Sequence, residues 1–434
     1  MNIQNIKPPL TSPQIRVGNV YMVQLDQKTD RKICDLMKDH PTAFTSLEFF
    51  PPRTADGVAN LKARIVRMKA ATKPVFADVT WGAGGSTSEL TMELVDFVRE
   101  AGCTANMHLT CTNMNPTLVH EALEKAKAKG IRNIVALRGD PPAGEDEWKA
   151  SEGGFNCALD LVKYIRAEYC EEFGVSVAGY PEGHPLAISE VSEEDIGKLS
   201  EAEKLRLSYI EDGSGKKTYS VCRDADYKKE MAYLKEKVDA GADFIITQMF
   251  FDSRVYAQFV NDCKACGIFC KIVPGIMCIN NYGGFKRMTG FCKTRVPDQL
   301  ALALEQIKDD EEAIKKFGVS FGVELCKHLI EVGAPCVHFY TLNLERVVYG
   351  ILDGLGWSSD LSNQVEEADA AVTAKAAGSA WARVGDEVKS MFGVGVVREL
   401  RADGSAAIEI SSWKLAGGQN VMAVLAKGAF AKIA

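Results

Sequence analysis

Eight short runs of β-branched and aromatic residues recur along residues 44–341, separated by stretches with helical spacing, and that alternation admits few architectures. The runs are FTSLEFF, VFADVT, TANMHLT, RNIVALRGD, VSVAGYP, DFIITQMFF, KIVPGIM and CVHFYTLN. Helical patterns cover Gly57 to Ala71, Thr87 to Ala101, Pro116 to Lys129, Leu159 to Glu172, Tyr227 to Ala240 and Ser253 to Cys266. Glycines at 102, 130, 241 and 333 stand just before the next strand, which suits left-handed helix C-caps. Eight strands in this span favour a closed (β/α)8 barrel of the TIM type, which occupies about 250 residues plus insertions. An open dinucleotide-binding sheet is disfavoured, because Gly82-Ala83-Gly84-Gly85 has the wrong spacing for a Rossmann fingerprint.

In such a barrel the carboxyl ends of all strands open on one face, so residues distant in sequence converge on one pocket. Most of the runs end in a polar residue that a core strand does not need: Glu48, Thr80, His108, Arg138 with Asp140, Tyr180 followed by His184, Gln248 and Tyr340. That pattern points to an enzyme.

Composition removes other classes. No apolar run approaches the roughly 20 residues of a membrane helix. A net charge of −7, from 51 basic and 58 acidic side chains, offers no broad cationic surface for nucleic acid. The N-terminus lacks a secretory signal pattern, and 13 cysteines, an odd number, fit reduced thiols in a cytoplasmic protein. Cys263, Cys266 and Cys270 lack the second close pair of a metal site, so no metal is expected. The chain divides into an N-terminal arm (1–40), the barrel (41–357) with a polar insertion (186–226), and an appendage (358–434). The insertion reads equally as a lid or as a surface excursion. In the appendage a helix is expected over Val365 to Met391, then a hairpin turning at Asp403-Gly404.

SLEFFPPRT, VTWGAGGST, HLTC, NIVALRGDPP, AGYPEGHP, KEKVDAGADFIITQMFFD, IVPGIM and HFYTLN together resemble the methylenetetrahydrofolate reductase family over roughly residues 40–357. The resemblance implies an FAD-containing barrel that uses NADH or NADPH to reduce 5,10-methylenetetrahydrofolate, with or without a polyglutamate tail, by ping-pong hydride transfer. It implies Glu48 as general acid toward the folate nitrogen and Asp140 as the carboxylate that stabilises the cationic iminium. Protonation near neutral pH requires a carboxyl with a raised pKa, and the neighbours Leu47 and Phe49-Phe50 suggest desolvation as the cause. Thr80, Trp81, Ala83, His108, Arg138, Gly139, Asp140, Tyr180, His184, Glu230 and Lys237 match flavin or nicotinamide contacts. Gln248 matches the amide that grips the pterin edge, with Tyr340 and Asn343 as weaker wall candidates.

Some positions depart from the family pattern: Glu230 replaces an aspartate, Leu344 replaces an arginine, and Met288 falls where bacterial members stack an aromatic ring. The residues after Trp357 do not resemble the S-adenosylmethionine-sensing domain of animal and fungal relatives, so no inhibition by that effector is expected. Competing readings are an FAD barrel of the proline dehydrogenase kind and a non-catalytic folate-binding homologue. Nicotinamide preference and homo-oligomeric state are not legible.

Overall fold

The computed structural model describes residues 15–17, 20–22, 30–40, 42–82, 87–112, 114–139, 153–211, 214–357, 386–390, 393–400, 405–414, 420–426 and 430–432. Two compact units divide the chain, 1–361 and 362–434. Near the N-terminus β1 (Ile15–Val17) and β2 (Val20–Met22) form a short antiparallel pair.

The first unit is built on parallel strands: β3 (Phe44–Phe49), β4 (Phe76–Val79), β5 (Thr104–Thr110), β6 (Asn133–Leu137) and β7 (Gly174–Gly179), then β11 (Phe244–Thr247), β12 (Lys271–Val273), β13 (Gly275–Met277) and β14 (Cys336–Tyr340). They pair in the order β12-β11-β7-β6-β5-β4-β3-β14-β13. The two ends of that order are halves of one strand, interrupted at Pro274, which has no N–H to give to a ladder. Residues 271–273 pair with β11 and residues 275–277 with β14, so the ring closes with eight strands, as expected.

The helical spacing is borne out. The helices are α2 (Ala55–Thr72), α3 (Ser88–Glu100), α4 (Pro116–Ala128), α5 (Ala158–Tyr169), α7 (Asp224–Asp239) and α8 (Ser253–Ala265), and they alternate with the strands. Gly102, Gly130, Gly241 and Gly333 all take positive φ at helix ends. The N-terminal arm is more than an arm. Its helix α1 (Ile33–Asp39) puts Ile33 and Met37 into an apolar cluster with Phe44, Phe76, Phe244 and Cys336, closing the amino-terminal end of the barrel. Asn133 fixes this plug, accepting from the Ile33 N–H at 2.7 Å and donating to the Arg31 carbonyl at 3.0 Å.

Strand alternation then sets a gradient along the barrel interior. Phe44, Ser46 and Glu48 lie on the inward face of β3, as do Phe76 and Asp78 on β4 and Cys336, His338 and Tyr340 on β14. The interior is apolar at the plugged end and ionisable at the open end.

The insertion holds β8 (Ile188–Val191), α6 (Glu201–Leu205), β9 (Ser208–Glu211) and β10 (Lys217–Cys222), a small antiparallel sheet in the order β8-β10-β9. Between β13 and β14 lie α9 (Tyr282–Phe291), α10 (Asp298–Gln306) and α11 (Glu311–Glu331), and α12 (Arg346–Gly354) follows β14. No helix among the described residues is long and apolar enough to cross a membrane.

The second unit is a five-stranded antiparallel sheet of β15 (Glu387–Ser390), β16 (Gly393–Leu400), β17 (Ser405–Lys414), β18 (Asn420–Ala426) and β19 (Phe430–Lys432), in the order β18-β17-β16-β15-β19. The expected hairpin is present as β16 and β17, while Asp403 and Gly404 lie outside the described residues. The helix expected over Val365 to Met391 requires correction at its C-terminal end. Residues 387–390 form a strand, because Glu-Val-Lys-Ser alternates with one buried valine and gains ladder partners on both sides.

Candidate active site

At the carboxyl-terminal mouth of the barrel a cavity of about 440 Å³ is lined by residues of all eight barrel strands, the interrupted one through Met277 of β13, and by the loops after them. Glu48, Thr80, Trp81, His108, Arg138, Gly139, Tyr180, His184, Gln248 and Tyr340, all anticipated from the sequence, meet here. A second recess of about 240 Å³ shares Arg138, Tyr180 and His184 with the first and adds Glu230 and Lys237. Together they make an elongated site running from the barrel axis toward the gap between α5 and α7. Ala83 and Asp140 lie outside the described residues.

At the floor Glu48 stands beside two imidazoles. Its Oε2 is 3.6 Å from His108 Nε2 and 3.5 Å from His338 Nε2. Fully buried Asp78 sits 3.1 Å from His108 Nε2, and the donor atoms of Glu48, Asp78 and His108 all lie within 4.8 Å of one another. Leu47 and Phe49, expected to desolvate Glu48, point to the opposite face of β3 by strand alternation. The surroundings of Glu48 are this cluster instead. Burial alone would lower the pKa of His108, but the hydrogen bond to Asp78 and the charge of Glu48 outweigh it and leave it raised. Asp78 and His338 were missed in the sequence. The signal was there: each is an ionisable residue inside an otherwise apolar run.

The walls are more committed than their residue types suggest. Tyr340 donates its hydroxyl to the Thr247 carbonyl at 2.6 Å, so only its ring serves the pocket. Gln248 Oε1 accepts from the Met249 N–H at 2.9 Å, which turns the NH2 half of the amide to other partners. Asn343 does not line the pocket. It accepts from Phe50 N and donates to Phe50 O, tying the ends of β3 and β14 together. Met288 and Phe291 of α9 face the mouth, whereas Leu344 does not line it.

In the recess, His184 Nδ1 accepts from the Leu186 N–H, so its proton resides on Nε2. Burial, reinforced by the charges of Arg138 and Lys237, lowers its pKa to about 4, and the ring is a neutral donor. Lys237 Nζ donates to the Ala178 carbonyl at 2.7 Å, and burial lowers its pKa to about 8. Burial raises the carboxyl of Glu230 despite the nearby cations. Gly139 adopts φ +91°, and a side chain there would run into Thr110 and Thr112, so the turn carrying Arg138 needs glycine.

The insertion sheet lines neither cavity. Its β9 and β10 wall a separate groove of about 720 Å³ with α9 and α10, while Leu186 at the start of the insertion lines the recess.

A closed β/α barrel with an acid–imidazole cluster and an elongated, partly cationic pocket at its carboxyl-terminal mouth has the form of a barrel enzyme. The sequence comparisons narrow the class to one family. A profile for methylenetetrahydrofolate reductase matches residues 32–356, and the chain belongs to that family. It is 48% identical over 330 residues to methylenetetrahydrofolate reductase (NADH) 1 of Zea mays, covering 76% of this chain and 51% of that protein. A probable methylenetetrahydrofolate reductase (NADPH) of Caenorhabditis elegans is 36% identical over 328 residues, covering 73% of this chain and 43% of that one. The 5,10-methylenetetrahydrofolate reductase of Pectobacterium carotovorum is 33% identical over 320 residues, covering 73% of this chain and 91% of the bacterial protein. The chain thus spans about half the length of its plant relative, but nearly all of the bacterial one.

Proposed function

We propose that this chain reduces 5,10-methylenetetrahydrofolate to 5-methyltetrahydrofolate at the barrel mouth, with FAD as resident flavin and NADH or NADPH as reductant, in a ping-pong sequence. The observation that carries the reading is the Glu48 carboxyl at the floor of a pocket that also presents the aromatic rings of Trp81, Tyr180 and Tyr340, the Arg138 cation and the Gln248 amide.

The residues present suit FAD. Arg138 and Lys237 would meet the pyrophosphate, Glu230 would accept from sugar hydroxyls, and His184 Nε2 offers a fixed donor. The buried indole N–H of Trp81 and hydroxyl of Thr110 line the main cavity without a hydrogen-bond partner in the protein, as a bound polar ring edge would require. The flavin, when bound, supplies a two-electron relay that lets nicotinamide and folate use the same face of the pocket in turn. Glu48 then gives its proton to the folate nitrogen, opening the bridge to a cationic iminium. Asp140 would balance that cation, and the Gln248 amide would orient the pterin edge.

Names among the relatives divide between NADH and NADPH, so both belong in the test. Under anaerobic conditions the visible flavin band should bleach on adding either nicotinamide and return on adding methylenetetrahydrofolate. Bleaching without return rejects the folate step, and bleaching by proline in place of nicotinamide would favour the proline dehydrogenase reading.

Lys237 makes the cofactor site pH-dependent. Pairing with a phosphate raises a lysine whose free pKa is about 8, so affinity is fully present below that pH and is lost above it. FAD affinity, measured by fluorescence quenching, should fall about tenfold from pH 8.5 to 9.5. In Lys237→Met it should be weak and flat over the same range.

A further inference from the structure

We propose that Asp78 and His338, with His108 and Ser46, form a buried proton reservoir that recharges Glu48 after each turnover. This rests on the folate-reducing reading and adds to it two residues, both 0% exposed, packed against Glu48 and His108.

The stoichiometry requires a proton source. Turning a methylene bridge into a methyl group adds one hydride to carbon and one proton to nitrogen. NAD(P)H is oxidised and supplies the hydride, and the proton leaves Glu48 as its O–H bond breaks. The enzyme therefore ends each turnover with a Glu48 carboxylate, which must regain a proton before the next. Glu48 lies at the pocket floor, so while cofactor or folate fills the pocket its nearest proton donors are the imidazoles packed against it.

Beneath Glu48 lies what a reservoir needs. His338 is fully buried, its Nε2 makes no hydrogen bond, and it is aimed between Glu48 Oε2 at 3.5 Å and Asp78 Oδ2 at 4.0 Å. Ser46 Oγ lies 2.8 Å from His338 Nδ1, fixing the ring. Phe76 stacks on its face with centroids 5.9 Å apart. Asp78 is 0% exposed, and one of its oxygens has no partner. Asp78 is hydrogen-bonded to His108 and favours its charged form, and His108 lines the cavity, which links the cluster to the pocket. Groups this close titrate as a unit, so a proton lost at Glu48 is replaced from the shared pool. The proton passes from an imidazolium Nε2 to Glu48 Oε2, and the neutral imidazole is reprotonated from water while the pocket stands open between products. Among the described residues, the titratable groups facing Glu48 are Asp78 on β4, His108 on β5, and His338 and Tyr340 on β14. Tyr340 donates to Thr247 and holds its proton.

The discriminating experiment compares one turnover with many. Enzyme loaded with FAD and reduced by nicotinamide is mixed with methylenetetrahydrofolate, and flavin reoxidation is followed for a single turnover and in steady state from pH 6 to 9. His338→Gln should keep the single-turnover rate within about twofold at every pH, because one turnover does not need the recharging step. Its steady-state rate should be near wild type at pH 6 and at least tenfold lower at pH 8.5. Should that variant fail to fold, Asp78→Asn is expected to show the same divergence. Single-turnover and steady-state rates falling together at all pH values would make the residues structural and overturn the proposal, as would unchanged steady-state turnover at pH 8.5. Absence of reoxidation in the wild type would instead reject the folate reading itself.

Discussion

Replacing Glu48 by glutamine is expected to leave a protein that binds FAD and is bleached by nicotinamide, yet passes electrons to folate about 10²–10⁴-fold more slowly, the usual span for loss of a general acid. That is about 3–5 kcal/mol of barrier. The amide keeps the volume and one hydrogen-bond acceptor but has no proton to give the folate nitrogen. The nicotinamide half-reaction transfers hydride alone and makes no demand on this group. Stopped-flow absorbance separates the two steps in the same sample. Equal slowing of both half-reactions would place Glu48 in cofactor binding, and unchanged folate turnover would remove it from the chemistry.

Why the sequence disclosed Glu48 but not its supporting cluster has a physical reason. Glu48, His108 and Gln248 stand near the ends of their runs, where a polar residue has no role in a core strand, so position alone marked them. Asp78 in Phe-Ala-Asp-Val and His338 in Cys-Val-His-Phe-Tyr lie inside runs that read as ordinary buried strands. Only the ring of strands reveals that both point inward, Asp78 opposite Glu48 on β4 and His338 opposite Ser46 on β14, and that their partners come from other strands. The helix spacing and glycine caps were legible because they are local. The plug formed by α1 was not, since Ile33 and Met37 find their partners on strands far along the chain. Lys237 was reachable only through family resemblance. It sits on a helix that reads as surface, yet its amine is folded into the recess against Ala178. In the second unit, alanine content suggested helix where cross-strand pairing prevails at 387–390.

Gly275→Ala should be the most damaging small substitution in the barrel. Gly275 begins the half-strand that closes the ring on β14, and a Cβ there would fall onto both the Thr247 carbonyl oxygen and the Tyr340 hydroxyl. Those two atoms are hydrogen-bonded to each other across the seam, and the Gly275 N–H itself donates to Thr247 Oγ1 at 3.0 Å. Neither neighbour can yield. One is backbone of β11, and the other is a half-buried ring tied by its hydroxyl to that same backbone. Overpacking costs about 1–3 kcal/mol, and the broken Tyr340 hydrogen bond adds about 1 kcal/mol. A loss of about 3 kcal/mol corresponds to a melting temperature lower by about 4–5 °C for a domain of this size. Tyr340→Phe isolates the hydrogen bond, with an expected cost of about 1 kcal/mol. Because the phenylalanine removes one of the three atoms the new methyl would strike, leaving the ring Cε2 and the Thr247 oxygen, the double variant should be less unstable than the sum of the singles, a coupling of about 0.5–3 kcal/mol. Strict additivity in thermal or urea unfolding would mean that the seam relaxes independently at the two positions, and that Tyr340 is not what requires glycine at 275.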